Sequence, residues 1–219
     1  MKFLVATNNE HKLEEMRAIF KDKNIEFLSL KDAGISVEIP ETGTTYKENS
    51  LQKATFISKL SKLPVLADDS GIEIDALGNG VPGIYSHRYA QQLGGYEKAN
   101  QYLVEIAGGS RAHFTCHITL VGYKNYGPLS FVGILDGKIS NSSTGVNGFG
   151  YDPIFIPEGY NETIATLSPE IKNAISHRYN ALSKLYEFLK DDHWSSFFFI
   201  AKKNMMPNAT ANTPGAIAM

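Results

Sequence analysis

Several things are scarce in this sequence, and each scarcity narrows what the protein can be. There is one cysteine, Cys116, so no disulfide can close within the chain, which fits a reducing compartment. Long apolar runs are missing. The aromatic stretch FFFI at 197–200 falls far short of the roughly 20 residues that span a bilayer. The start, MKFLVATNNEHK, offers at most the apolar run from Phe3 to Thr7, too short for the core of a signal peptide. Neither sign of charge dominates: 21 Lys and Arg face 23 Asp and Glu, for a formal net charge of -2. That balance gives no basic surplus for nucleic acid and no acidic block for a solvating tail. The expectation is a soluble cytoplasmic protein with neither nucleic acid nor membrane as a partner. What is present is an ordinary globular composition: 219 residues, 42% hydrophobic, enough for one large domain or two small lobes.

Periodicity supplies the elements. Phe3 to Thr7 reads as a strand that turns at Asn8-Asn9 into a helix with Leu13, Met16 and Phe20 on its apolar stripe. Thr45-Tyr46-Lys47-Glu48 matches a capping box, opening a second helix with Leu51, Ala54 and Ile57 inward. Pro64 to Ala67 reads as a buried strand that stops at Asp68-Asp69, followed by Ile72 to Asp75 and glycine-rich loops. A helix over Tyr96 to Ala107 ends at Gly108-Gly109, and strand pattern runs from His113 to Tyr123. Ile134 to Ile139 reads as a hairpin turning at Asp136-Gly137. A last helix starts near Ser176, with Tyr179, Leu182, Leu185 and Leu189 on one face. From Lys202 the chain is small and polar and reads as a disordered or weakly packed tail. The alternation implies an α/β protein with a mixed sheet.

Five stretches carry residue types suited to chemistry. In ATNNEHK, a strand-to-helix turn exposes backbone N–H groups and a positive helix end, with Lys12 one turn in. It matches neither a P-loop nor a dinucleotide fingerprint, and taken alone a capped helix with a solvated lysine is the simpler explanation. Glu38, Glu41 and Glu48 crowd one segment, with Lys53 beyond them; solvated loop acids would look the same. Asp68 and Asp69 are adjacent, so along an extended strand they point to opposite faces. Burying two like charges is costly unless something such as a hard divalent cation neutralises them, the alternative being an Asx-turn with one solvated carboxylate. In NGFGYDP, glycines present Phe149 and Tyr151 on a turn, where an aromatic can stack a nucleobase and Asp152 can accept from its N–H groups; the other reading is a loop plugging the core. In IKNAISHRYNAL, Ser176 caps a helix whose first turn carries His177 and Arg178, with Lys172 upstream. Cations there oppose the helix dipole, which makes sense if an anion or electron-rich acceptor docks on them.

Together ATNNEHKLEEM, ETGTTYKENSLQKA, LADDSGIEIDALGNGVPGIYSHRYA, GFGYDPIF and IKNAISHRYNAL resemble, in order, the inosine triphosphate pyrophosphatase, or Ham1-like, family. The resemblance covers about Lys2 to Lys190. It implies an elongated α/β fold with a central mixed sheet flanked by helices, two lobes with a nucleotide cleft between them, and a homodimer. It also implies Mg²⁺-dependent hydrolysis of non-standard purine nucleoside triphosphates (ITP, dITP, XTP) to the monophosphate and pyrophosphate. Residue by residue, Thr7, Asn8, Asn9, Glu10, His11 and Lys12 would hold the phosphates, with Lys53 near them. Glu41 and Asp69 would serve the metal, Asp69 also as base for the attacking water, while Ser70 touches substrate; that leaves Asp68 a supporting catalytic role, in the turn or in the metal's outer shell. Phe149, Gly150, Tyr151, Asp152, Lys172, His177 and Arg178 would surround the base. A related pyrophosphatase for other modified nucleotides, or a nucleotide-binding regulator without turnover, are the other readings. The chain departs from the family at Ile171, where a glutamate is usual, at Thr166-Leu167, and at His87, where a small residue is common. Residues 1–190 then form a single two-lobed domain, and 191–219 form a divergent extension, partly disordered, whose aromatic run could pack on the dimer or a lobe.

Overall fold

The computed structural model describes residues 1–204 apart from residue 79, with side chains described as far as 192. The order is β1 (Lys2–Val5), α1 (Glu10–Ile19), β2 (Glu26–Leu28), α2 (Tyr46–Ser58), β3 (Val65–Ile74), α3 (Ser86–Gln92), α4 (Tyr96–Ala107), β4 (Arg111–Val121), β5 (Leu129–Ile139), β6 (Phe155–Pro157), α5 (Pro169–Ile175) and α6 (His177–Asn204). They build an α/β protein around one mixed six-stranded sheet of order β2-β1-β3-β4-β5-β6. β1 lies parallel to β2 and β3, and the β3-β4-β5-β6 run is antiparallel. Contacts divide the chain into a unit Met1–Lys184, which holds the sheet, and a unit Leu185–Met219. In the second unit, the described residues continue the α6 helix. Among the described residues no helix is long and apolar enough to cross a membrane.

Within the first unit the apolar residues gather into separate clusters. One joins Leu4, Ala6, Ala54, Ile57, Val65 and Ala67, burying α2 against the parallel strands. Another joins Ile72, Ala99, Leu103, Phe114, Tyr151, Ile154 and Phe155, burying α4 against the antiparallel half. The expected helix starts hold: Asn9 accepts from the Lys12 N–H at 3.3 Å, Thr45 from Glu48 N–H at 3.1 Å, and Ser176 from Tyr179 N–H at 3.0 Å. The Glu48 carboxylate reaches back to the Thr44 N–H at 2.7 Å and the Thr44 hydroxyl at 2.8 Å.

Three expectations are corrected. β3 does not stop at Asp68-Asp69 but runs through to Ile74, because β4 pairs with it over its whole length, Val65↔Val121 to Ile74↔Ala112. No Asx-turn forms there, and the acids find partners on both faces of the strand instead. Asp136-Gly137 is no hairpin turn; both residues lie inside β5, opposite His113 and Ala112. Gly137 is there for closeness, since a Cβ would overlap the Ile156 carbonyl of β6. The inward face of α2 is partly polar: Asn49, Ser50 and Lys53 are buried with Ala54 and Ile57, while Leu51 is half-exposed. Of the apolar face expected on α6, Leu182, Leu185 and Leu189 are buried. The tail from 205 onward and the side chains of the 197–200 run lie outside the described residues.

Candidate active site

The chemistry starts at the turn from β1 into α1. Thr7 accepts from the Asn9 N–H at 3.1 Å while Asn9 caps the helix, so the backbone from Thr7 to Lys12 is held at the carboxyl edge of the parallel strands. This is where an α/β sheet presents N–H groups to an anion.

At the centre of β3 the two acids part, as strand alternation requires. Asp69 faces α2, where Lys53 Nζ donates to Oδ1 at 2.9 Å and Asn49 Nδ2 to Oδ2 at 3.2 Å. Asn49 and Lys53 are four apart on α2, so one helix face supplies both donors. The same Lys53 ammonium reaches Glu41 at 2.6 Å, and the Glu41 carbonyl accepts from Arg88 at 3.1 Å. Burial lifts the Asp69 carboxyl above its ordinary pKa even with Lys53 and Lys12 nearby. Burial also works to raise Glu41, but Lys53 beside it holds that carboxyl below the usual value. Lys53 itself, whose burial disfavours the charge, is kept protonated by Asp69, Asp68 and Glu41. A more basic carboxylate thus sits next to a more acidic one, with a cation between them.

Asp68 points the other way and is fully enclosed. Its Oδ1 meets Lys12 Nζ at 3.0 Å, and its Oδ2 meets Arg178 Nη2 at 3.0 Å and the Ser70 hydroxyl at 3.2 Å. Despite burial, Lys12, Arg178 and Lys53 drive its pKa far below the carboxylate range. Arg178 then pairs with Glu15, which also takes Lys172 at 2.5 Å. Lys172 continues to Asp152 at 2.6 Å, and Asp152 accepts from the Phe149 N–H at 2.8 Å. This chain resolves the conflict at the start of α6: the anions facing Arg178 belong to the protein. Its Nε, Nη1 and Nη2 groups donate to Asp68, Glu15 and Ser70, leaving one of five N–H groups uncommitted. Beside it, buried His177 stacks on Phe114, rings 4.8 Å apart at 12°. Burial, reinforced by Arg178, holds the imidazole well below its usual pKa and therefore neutral, and its Nδ1 has no hydrogen-bond partner.

The NGFGYDP turn divides between its two readings. Tyr151 is a core residue: its hydroxyl donates to the Ser86 carbonyl at 2.6 Å and its ring meets Tyr96 edge-on at 5.2 Å. Phe149 is presented instead, stacked on His11 at 5.3 Å with Lys172 Nζ 4.9 Å from its centroid. Gly148 has φ +78°, and a Cβ there would overlap the Asp152 carboxylate, so glycine is required to bring the backbone this close. Asn100 on α4 fixes the turn through the Gly150 carbonyl at 3.0 Å.

These groups face one cleft of about 630 Å³. All of the expected site residues line it except Asp68, which supports it from beneath. The cleft also gathers residues that sequence reasoning passed over, chiefly Glu15, Ser86 and Tyr96. Glu15 was open to detection, since it follows Lys12 by three on α1 and shares its face. Tyr96 shows only in three dimensions, where its hydroxyl lies 3.2 Å from His87 Nδ1. Among the described residues no group of three or more His, Cys, Asp and Glu gathers as a metal cage.

A profile of the Ham1 family matches residues 3–188. The chain belongs to that family. Among curated proteins it is 44% identical over 200 residues to a dITP/XTP pyrophosphatase of Clostridium perfringens, covering 86% of this chain and 97% of that one. It is 42% identical over 193 residues to a dITP/XTP pyrophosphatase of Clostridium tetani, covering 85% and 95%. Among solved structures, the Ham1 protein of Coxiella burnetii superposes with a TM-score of 0.76 at 38% identity, covering 87% of this chain and 99% of that one. The Staphylococcus aureus Ham1 protein follows at 0.71 and 36%, covering 88% and 100%. The Ham1 match and the cleft coincide, since every lining residue named lies within 3–188.

Proposed function

We propose that this protein hydrolyses non-standard purine nucleoside triphosphates, ITP, dITP and XTP, to the nucleoside monophosphate and pyrophosphate. The observation that carries the reading is one cleft with a raised-pKa carboxylate and two lysines at one end and an aromatic ring with fixed hydrogen-bonding groups at the other. The relatives named dITP/XTP pyrophosphatase support the same substrate class.

In this reading the triphosphate lies along Thr7 to Lys12, with Lys12 and Lys53 offsetting its charge as the α-phosphorus is attacked. Asp69 accepts the proton of the attacking water, a task its raised pKa suits better than that of an ordinary aspartate. Asn49 and Lys53 fix the carboxylate in place. Glu41 and Asp69 would hold Mg²⁺. They offer hard oxygen ligands and share one ion-pair partner, Lys53, among the described residues, which suits an ion commonly bound by one or two carboxylates plus substrate phosphates. Bound there, the metal supplies charge neutralisation and a more acidic water.

Phe149 stacks the base, and His177, neutral with an unpartnered Nδ1, meets its edge. Hypoxanthine and xanthine carry an acceptor at position 6 where adenine carries an amino donor. The one uncommitted N–H of Arg178 and the charge of Lys172 reward the oxo group and leave adenine's donor unpaired, a discrimination that hydrogen-bonding sites perform well. The protein acts as a homodimer in the cytoplasm. Incubating it with ITP and Mg²⁺ and separating the products tests the reading. IMP and pyrophosphate are expected; orthophosphate release, or no turnover, would refute it.

A further inference from the structure

We propose that Asp68 is a positioning residue that sets the spacing between Lys12, at the phosphate end of the cleft, and Arg178, at the base end. Base selection and phosphate alignment then depend on one carboxylate. The inference rests on the triphosphate reading of the cleft given above. Asp68 has a side chain 0% exposed and does not line the cleft, so it touches no substrate; both of its cations do line it. One rigid, planar group therefore holds two substrate-facing cations at 3.0 Å each, one on either oxygen. The carboxylate cannot drift, because β3 is paired to β4 at Asp68↔Ile118 and the Ser70 hydroxyl donates to Oδ2.

The two cations are not held equally. Arg178 has a second anchor in Glu15, whereas among the described residues Asp68 is the only carboxylate paired with Lys12. Neutralising position 68 thus releases the phosphate-end cation first and loosens the base-end cation by a smaller amount. Removing Lys12 acts in the opposite sense: Arg178 is then the only cation left in direct contact with Asp68 among the described residues, and the carboxylate pulls the guanidinium away from its place beside the base. A change at the phosphate end then alters base preference, which two independent cations would not do.

The test measures kcat and KM for ITP and ATP in the wild type, Asp68→Asn and Lys12→Met. The expected result is a loss carried mainly by kcat in Asp68→Asn, and a fall of at least about fivefold in the ITP:ATP ratio of kcat/KM in both variants, in the range of ordinary coupling between sites. An unchanged ratio would overturn the proposal, because a merely structural role lowers the active fraction equally for both nucleotides. Should Asp68→Asn fail to fold by circular dichroism, the ratio in Lys12→Met decides. Should the wild type hydrolyse neither nucleotide, the turnover reading fails by itself, and the ITP:ATP binding ratio by calorimetry in wild type and Lys12→Met decides the coupling. Binding of neither nucleotide would overturn both.

Discussion

Two charge clusters in the cleft are built in opposite ways. In the first, which runs from Lys172 and Arg178 at the proposed base end to Lys12 at the phosphate end, three cations face three carboxylates, Glu15, Asp68 and Asp152, in an unbroken chain of buried pairs. In the second, Glu41 and Asp69 share the single ammonium of Lys53, and Glu41 keeps a side chain 43% exposed. The first arrangement is complete in itself. The second sets two carboxylates against one paired cation and has open access. Buried pairs of the first kind fix geometry more than they add stability, since desolvation consumes much of their attraction. In the reading proposed above, the contrast divides the tasks: the balanced cluster recognises, and the unbalanced one receives a cation and does the chemistry.

The largest effect expected from breaking this contrast is at Asp69. Asp69→Asn keeps the shape but removes the base, and turnover of ITP should fall by roughly 10²–10⁴ with an unchanged circular dichroism spectrum. In the metal-free protein, burial raises the Asp69 pKa, so a carboxylate titration followed by NMR should place Asp69 above the ordinary aspartate value of about 3.9, and added Mg²⁺ should lower it. Next comes the balanced cluster. Glu15→Gln strips the shared partner from Lys172 and Arg178, and the loss should approach about 3–5 kcal/mol in denaturant unfolding. A change below about 1 kcal/mol there would show that the chain of pairs is not a unit.

Recognition should respond more mildly. Phe149→Ala removes the stacking face and should cost about 1–3 kcal/mol of transition-state binding, read as kcat/KM for ITP. His177 gives the balanced cluster a pH signature. Its folded pKa is depressed, so the unfolded chain binds a proton that the buried ring refuses, and stability should fall as pH drops below about 6.5. His177→Gln should flatten that part of a thermal-stability profile. The smallest effect lies outside the cleft: Thr45→Ala removes the α2 cap and should cost about 1 kcal/mol by denaturant unfolding, moving α2 and its Lys53 only slightly.

Much of the site was legible because local chemistry leaves local marks. The caps at Asn9, Thr45 and Ser176, and the glycines around Phe149, follow from backbone needs that a few neighbouring residues decide. That Asp68 and Asp69 face opposite ways was legible as alternation along a strand. What supplies the partners was not. Arg178 is 110 residues from Asp68 along the chain, and no spacing rule links them. For the same reason β3 was read as stopping at its acids: their cost is offset by Lys12, Arg178, Lys53 and Asn49, all from other elements. The Asp136-Gly137 pair misled in the reverse direction. It carries a turn signal, but the strands on both sides impose an extended backbone, and glycine serves the approach of β6. Glu15 sat in plain view on α1, yet only the fold reveals that it joins two cations from α5 and α6.

The central claim, that the unbalanced cluster directs water onto the α-phosphorus, is tested most directly by hydrolysing ITP in ¹⁸O-labelled water and locating the label by mass spectrometry. The account predicts one ¹⁸O in the IMP and none in the pyrophosphate. Label in the pyrophosphate, or in released orthophosphate, would contradict it.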